Sequence, residues 1–351
     1  MSKYQYGWEF TDKNDASFTM LNPVKNSRMY LPLCNNRLKS YVTPEMKGDI
    51  LLNYDKYLTI PKSTEDLHHC KDGRSFWLNI SGKGVFSCSG NSAENNLKAA
   101  LGQDNEEVRI DAGIGWIRIS RTSPEYSVKA ENTIFVPSND DTAELVRLTV
   151  TNIGGEPISF DTFYAVALYG RSTSNLRDHR DVSTLCNRLV PNPYGVILHP
   201  IMIHDEKKAY QNKTRYCVLG YDQDGKRAAG GWGRMYDFIG ENGSMEAPEA
   251  VYLNKSPVRF EDMDTTGEEA VGAVKFETFM LRPGESRSFI IIQGITDDPE
   301  DIEKWVARYG CLKKYDDSLE ETKQFLQSYV NIVEFCFAFT KLNKFLKWVG
   351  Y

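Results

Sequence analysis

The densest group of chemically capable side chains in the 351-residue sequence is Tyr169-Gly-Arg-Ser-Thr-Ser-Asn-Leu-Arg-Asp-His-Arg-Asp181. Arg171, Arg177 and Arg180 supply three guanidinium forks, Asp178 and Asp181 two carboxylates, Asn175 an amide and His179 an imidazole. Planar donors beside carboxylates and an amide suit the hydroxyls of a sugar, or an anion, because each fork bonds two acceptors at once. A loop that orders itself through internal salt bridges has the same composition, and composition does not separate the two readings.

A second group, His68-His-Cys-Lys-Asp-Gly-Arg-Ser-Phe-Trp-Leu-Asn79, runs into Ile80-Ser-Gly-Lys-Gly84. Aromatic and polar residues at the mouth of a strand are what a carbohydrate subsite needs: a flat apolar face for the ring and hydrogen-bonding groups at its edge. Arg74 and Trp77 are the candidate substrate contacts, while Phe76 and Trp77 are also residues of core type. His68, His69 and Cys70 are adjacent with no third ligand at metal-site spacing, so no metal is expected.

Other chemistries lack their motifs. Gly225, Gly230, Gly231 and Gly233 lie in no GxxxxGK[ST] and no strand–GxGxxG–helix pattern. Ser81, Ser87 and Ser89 sit in no nucleophile elbow. Glu241, Glu246, Glu249 and Asp262 can be paired for glycosidic acid–base work, but among 48 acidic residues such a choice is nearly free. Sugar epimerisation wants a histidine acid and a carboxylate base in one cleft. His179, His199 and His204 fall near strand ends, each without an evident partner.

The elements that must hold these groups read as β up to about residue 295. In Glu144–Asn152, Val146, Leu148 and Val150 share one face, and Arg147, Thr149 and Thr151 the other, a period of two that predicts a half-buried strand. Asn152-Ile-Gly-Gly-Glu-Pro157 supplies a turn into a strand over 158–168. The same grammar recurs at 108–120, 126–136, 214–219, 271–279 and 289–293, and predicts an antiparallel sandwich rather than a βαβ fold. After Gly294, Asp297–Asp301 is an acidic helix start, with Ile302, Trp305, Val306 and Tyr309 at helical spacing and Gly310 as the stop. A helix over 318–327 follows. The last stretch, 335–351, sets Leu342, Phe345, Leu346 and Val349 on one face and Lys341, Lys344 and Lys347 on another.

Composition narrows the class. Hydrophobic residues make up 41% and charged residues 26%, ordinary for a globular chain. Forty-two basic against 48 acidic residues give a net charge of −6, so nucleic acid is not expected as a partner. The longest apolar runs fall far short of the ~20 residues that span a bilayer, and no membrane association is expected. Seven scattered cysteines without a CxxC pair, and no signal-peptide core at the N-terminus, point to a cytoplasmic protein.

Several long segments are similar to one family. YGWEFTD (6–12), DLHHCKDGRSFWLNISGKGVFSCSGNSA (66–93), YGRSTSNLRDHRDVSTLCNRL (169–189), FIGENGSMEAPEAV (238–251) and MLRPGESRSFIIIQGI (280–295) resemble the N-terminal region of glycoside phosphorylases of glycoside hydrolase family 94, of the cellobiose-phosphorylase-like and β-1,2-oligoglucan phosphorylase group. The resemblance implies a mainly β chain: an antiparallel, galactose-mutarotase-like β-supersandwich over 1–295, followed by C-terminal linker helices over 296–351 that start an (α/α)6 barrel this chain does not contain. It also implies inverting phosphorolysis of a β-glucoside or β-glucan oligosaccharide to α-glucose 1-phosphate, with inorganic phosphate as co-substrate and no cofactor. The family's catalytic groups lie in the barrel, so none is carried over. The expected role is a non-catalytic module that contributes substrate-side loops and subunit contacts in a homodimer. Arg171, Asn175, Arg177, Asp178, His179 and Arg180 are its expected substrate-side residues, with Arg74 and Trp77. A stand-alone carbohydrate-binding or scaffolding sandwich is the competing expectation.

Overall fold

In the strand Ala143–Asn152, Val146, Leu148 and Val150 enter one core cluster, whereas Ala143 and Leu145 enter another. The period of two is here the boundary between two layers. Farther along the second face the residues turn polar, and Thr149 and Thr151 bond the hydroxyls of Ser288 and Ser286 across the neighbouring strand at 2.9 and 2.8 Å. The computed structural model describes residues 7–11, 15–23, 29–53, 55–62, 73–177, 180–204, 209–264, 267–331, 340–349 and 351.

The strand Ala143–Asn152 lies inside an antiparallel sheet of nine strands. From edge to edge these are Trp8–Phe10, Phe18–Leu21, Glu107–Gly113, Trp116–Ser123, Val128–Phe135, Ala143–Asn152, Ser286–Thr296, Arg215–Asp222 and Gly195–Leu198. A second antiparallel sheet faces it: Gly230–Arg234, Ala270–Lys275, Ile158–Leu168, Ser75–Ile80 and Gly84–Ser87, with Phe279–Leu281 paired to the start of Ile158–Leu168. From Phe163 to Leu168 the central strand Ile158–Leu168 is apolar on both faces, as suits a strand covered on both sides. Phe160, Tyr164, Val166 and Leu168 fill the space between the sheets, and Phe163 and Ala165 join an outer cluster with Trp77 and Trp232. A four-stranded sheet, Leu31–Cys34, Lys39–Val42, Ile50–Asn53 and Lys56–Tyr57, and a hairpin, Met202–His204 with Ala209–Gln211, stand beside the sandwich.

The segment expected as one strand over 108–120 is a hairpin, Glu107–Gly113 and Trp116–Ser123. Its turn, Ile114-Gly115, carries no polar residue to announce it. Gly115 has φ +79°, which glycine adopts without strain.

The helix expected after Asp297 runs Glu300–Tyr309, and Leu312–Val330 follows it. Ile302, Trp305, Tyr309, Tyr315 and Leu319 cover the outer face of the large sheet. A Cβ at Gly294 would stand 2.7 Å from the Trp305 ring, so the indole seats on the bare backbone of the strand. The helix Thr340–Val349 rests on the N-terminal strands through Trp348, whose ring meets Phe18 at 5.6 Å and whose indole N–H donates to the Ala16 carbonyl at 2.8 Å. Lys344, expected to share a basic face with Lys341 and Lys347, is buried and donates to the Thr11 carbonyl. Leu342, Phe345 and Val349 are exposed on the other side. Among the described residues no helix is long and apolar enough to cross a membrane.

Candidate functional site

The strand Ile158–Leu168 delivers the polar cluster to the edge of the sandwich. Beyond Leu168 the backbone pairs with the small sheet: Tyr169 N–H donates to the Leu58 carbonyl at 2.7 Å, Gly170 N–H to Tyr57 at 3.0 Å, and Tyr57 N–H to Arg171 at 3.0 Å. The chain then winds through a 3₁₀ turn, Thr173–Arg177, and a short helix, Arg180–Thr184. Tyr169 Oη donates to the Ser172 carbonyl at 3.0 Å, and Ser172 Oγ to Asn175 Oδ1 at 3.0 Å. The Arg171 guanidinium lies 5.1 Å from the Tyr169 ring centroid and donates to Ser183 Oγ. Stacking and local hydrogen bonds thus help to fix Arg171 and Asn175.

Two grooves open on either side of this loop. The first has two lobes, of about 380 and 410 Å³, which share Asp55, Ser172 and Ile203. One lobe is largely apolar, with Met202, Pro200 and Val182 facing Arg171 and Asn175. The other is polar and is walled by Lys56, Tyr210, Lys213, Thr214 and Asp297. The second groove, of about 190 and 420 Å³, runs from Arg171 and Asn175 past Met235 to Tyr236 and Glu268. Each lies within or near the size of small-molecule sites, roughly 300–1,000 Å³. Leu176, Val182, Leu185 and Tyr236 stand exposed around them, at 49, 65, 62 and 58%.

Asp297 is the best-ordered acid of the polar lobe. Its carboxylate accepts from Lys56 Nζ at 2.6 and 2.7 Å and from Thr214 Oγ1 at 2.7 Å. Partial burial opposes its ionisation, but the Lys56 and Thr214 hydrogen bonds outweigh that and hold its carboxyl below the usual range. Asn212 forms the floor, donating to the Pro200 carbonyl at 2.7 Å and accepting from Thr214 N–H at 3.0 Å.

Of the expected substrate-side residues, Arg171 and Asn175 line both grooves. Asp178 and His179 lie outside the described residues, as do the side chains of Arg177 and Arg180, and so do His68, His69 and Cys70. Arg74 and Trp77 are corrected: neither reaches solvent. Both Arg74 and Glu144 are 0% exposed. Arg74 Nε and Nη2 donate to the two oxygens of Glu144 at 2.6 and 2.8 Å. Gln293 donates to the same carboxylate at 2.5 Å and Ser40 Oγ also donates to it, while Tyr164 Oη donates to Gln293 at 2.8 Å. A buried ion pair of this kind survives only because every group in it is satisfied. Trp77 is 0% exposed in the outer apolar cluster, 6.1 Å from the Phe238 ring.

The remaining candidates do not converge. Glu249 pairs with Lys255, Asp262 with Arg259, and Glu246 accepts from Asn96. His199 Nε2 meets the Asn212 carbonyl at 3.0 Å, so among the described residues it faces a backbone group rather than a base. No group of three His, Cys, Asp or Glu residues is placed to hold a metal among the described residues. The polar lobe itself has no sequence signature, because Asp55, Tyr210 and Asp297 come from three separate segments.

Among solved structures, the chain is similar to a bacterial glucoamylase complexed with acarbose: 6% identity, TM-score 0.44, covering 93% of this chain and 37% of that one. It is also similar to a putative kojibiose phosphorylase from the human microbiome (6% identity, TM-score 0.42, 94% of this chain and 39% of that one). A GalM/aldose epimerase homologue from C. elegans gives 11% identity and a TM-score of 0.42, covering 77% of this chain and 99% of that one. The chain thus spans about 37–39% of the length of the first two. Among curated proteins no sequence matches it. The sequence model of the "Glycosyl hydrolase 94, supersandwich domain" matches residues 82–311, from the turn after Ser75–Ile80 to the start of the helix Leu312–Val330. The antiparallel two-sheet core and this match over most of the chain lead to one assignment: the protein belongs to glycosyl hydrolase family 94, of which it carries the supersandwich domain.

Proposed function

We propose that the chain is the non-catalytic sandwich module of a β-glucoside or β-glucan phosphorylase, and that it lends the loop 171–184 to the substrate side of an (α/α)6 catalytic barrel. The observation that carries this reading is the loop itself. It leaves the central strand Ile158–Leu168 of the second sheet, lines both grooves, and raises Leu176 and Val182, with Leu185 just after it, into solvent beside Arg171 and Asn175. Exposed apolar side chains around such grooves suit a face that another domain covers. The barrel supplies the acid and the phosphate site; this module shapes the recess, with Arg177, Asp178, His179 and Arg180 on the same loop. The enzyme works as a homodimer in the cytoplasm. The Cys217 thiol, which burial pushes up to about 12, is of the inert kind that a reducing compartment leaves alone.

Intact-mass analysis of the endogenous protein tests the reading. A mass more than twice 40.0 kDa is the expected result. A mass near 40.0 kDa contradicts it and favours the stand-alone carbohydrate-binding sandwich.

A further inference from the structure

We infer that the polar lobe walled by Asp55, Lys56, Tyr210 and Asp297 is a saccharide-binding groove of the sandwich's own, able to hold a neutral glucan segment without a catalytic domain. Only the choice of a glucan as the sugar rests on the proposed function; the groove rests on its own geometry.

Charge decides the kind of ligand first. Asp55 and Asp297 stand against Lys56 and Lys213 around the lobe, so the formal charges cancel and no net field favours an anion. An uncharged ligand that both donates and accepts hydrogen bonds fits such a wall, and a sugar ring is of that kind. The donors and acceptors differ in readiness. Lys56 and Asp297 are committed to each other, which fixes the inner wall at 2.6 Å. Asp55 is exposed, its side chain meets no hydrogen-bond or ion-pair partner among the described residues, and it borders both lobes. A carboxylate in that state accepts from a pair of neighbouring hydroxyls.

An apolar platform completes the requirement. Tyr210, on the hairpin Met202–His204 with Ala209–Gln211, is 41% exposed and lines the lobe. A sugar's axial C–H face packs against such a ring while its hydroxyls reach the polar wall. At about 410 Å³, continuing into a lobe of about 380 Å³ through Asp55, the groove has room for more than one ring.

The test is isothermal titration calorimetry of the 351-residue chain with β-1,2- and β-1,4-linked glucose trisaccharides and with α-glucose 1-phosphate. The expected result is saturable binding of a neutral trisaccharide that weakens about tenfold or more in Tyr210→Ala and in Asp55→Ala. Tyr236→Ala, in the second groove, should stay within about twofold of the unmodified chain. Circular dichroism confirms that each variant is folded, and Tyr210→Phe, which keeps the ring, should retain binding. Three results would overturn the inference: no saturation by either trisaccharide at millimolar concentration, affinity in the Tyr210→Ala and Asp55→Ala variants equal to that of the unmodified chain, or preference for the sugar phosphate. Binding here with no phosphorolysis by a barrel-containing protein removes the proposed function alone; phosphorolysis without binding here removes this groove alone.

Discussion

Two arginines of the sandwich carry the same chemistry to opposite ends. Arg74 is 0% exposed and spends its guanidinium on Glu144, Ser40 and backbone carbonyls. Arg171 lines two grooves, its guanidinium stacked on Tyr169 and bonded to Ser183. Both follow or precede strands of one sheet, and both sit in polar stretches of sequence. The difference lies in what is opposite. Arg74 faces a carboxylate planted in the core by Ala143–Asn152, and the half-buried Arg171 borders the grooves beside the small sheet and the hairpin at Met202–His204. A guanidinium becomes a scaffold where a distant residue neutralises it inside the core, and a groove wall where it stays part-exposed at the edge of the sandwich.

That contrast can be broken in order of expected size. Glu144→Ala leaves Arg74 charged and uncompensated in the core, and should cost about 3–5 kcal/mol, measured as a large fall in the urea midpoint. Retention of the midpoint would mean that the network is dispensable. Trp305→Ala opens the seat over Gly294 and should cost about 3–5 kcal/mol, with the helices Glu300–Tyr309 and Leu312–Val330 losing hydrogen-exchange protection first. Equal loss across the sandwich would show that the helices are not a separate layer. Arg171→Ala should shift stability by no more than about 1 kcal/mol, since its surroundings are part-exposed. A cost comparable to that of Glu144→Ala would erase the contrast.

The smallest effect is pH-dependent. The folded pKa of Asp297 is depressed, so the stability it adds is fully present above its unfolded value of 3.8 and is lost as pH falls through the lower folded value. With the side chain about half exposed, its pair with Lys56 is worth about 1 kcal/mol or less. Thermal melts of Asp297→Asn and the unmodified chain should therefore differ slightly at pH 6 and converge below pH 3.8. A gap that widens in acid would reverse the sign argued here.

The strands were legible because burial alternates wherever one face is covered, as in Val146, Leu148 and Val150, and the helix Glu300–Tyr309 because its acidic start and apolar spacing agree. The hairpin at Ile114-Gly115 hides in an apolar run. The helix Thr340–Val349 shows its limits too: spacing groups Lys344 with Lys341 and Lys347, but Trp348 one turn on draws Lys344 into the contact with the N-terminal strands. At the site, Arg171 and Asn175 stand out as a dense polar cluster after a core strand. Arg74 reads the same way because the partner that buries it lies 70 positions away. Asp55, Tyr210 and Asp297 are unreadable locally, since only the fold brings their segments together.

The central claim is that this sandwich serves a phosphorolytic barrel through the loop 171–184, and glucose 1-phosphate formation measures it most directly. The assay compares the 351-residue chain alone, the same chain joined to its catalytic barrel, and the joined protein carrying Arg171→Ala or Arg180→Ala, each supplied with a β-linked glucan and inorganic phosphate. The account predicts no product from the chain alone, product from the joined protein, and a kcat/KM at least about tenfold lower in the folded variants, a loss of about 1.4 kcal/mol. Unchanged kcat/KM in both variants, or turnover by the chain alone, would contradict it.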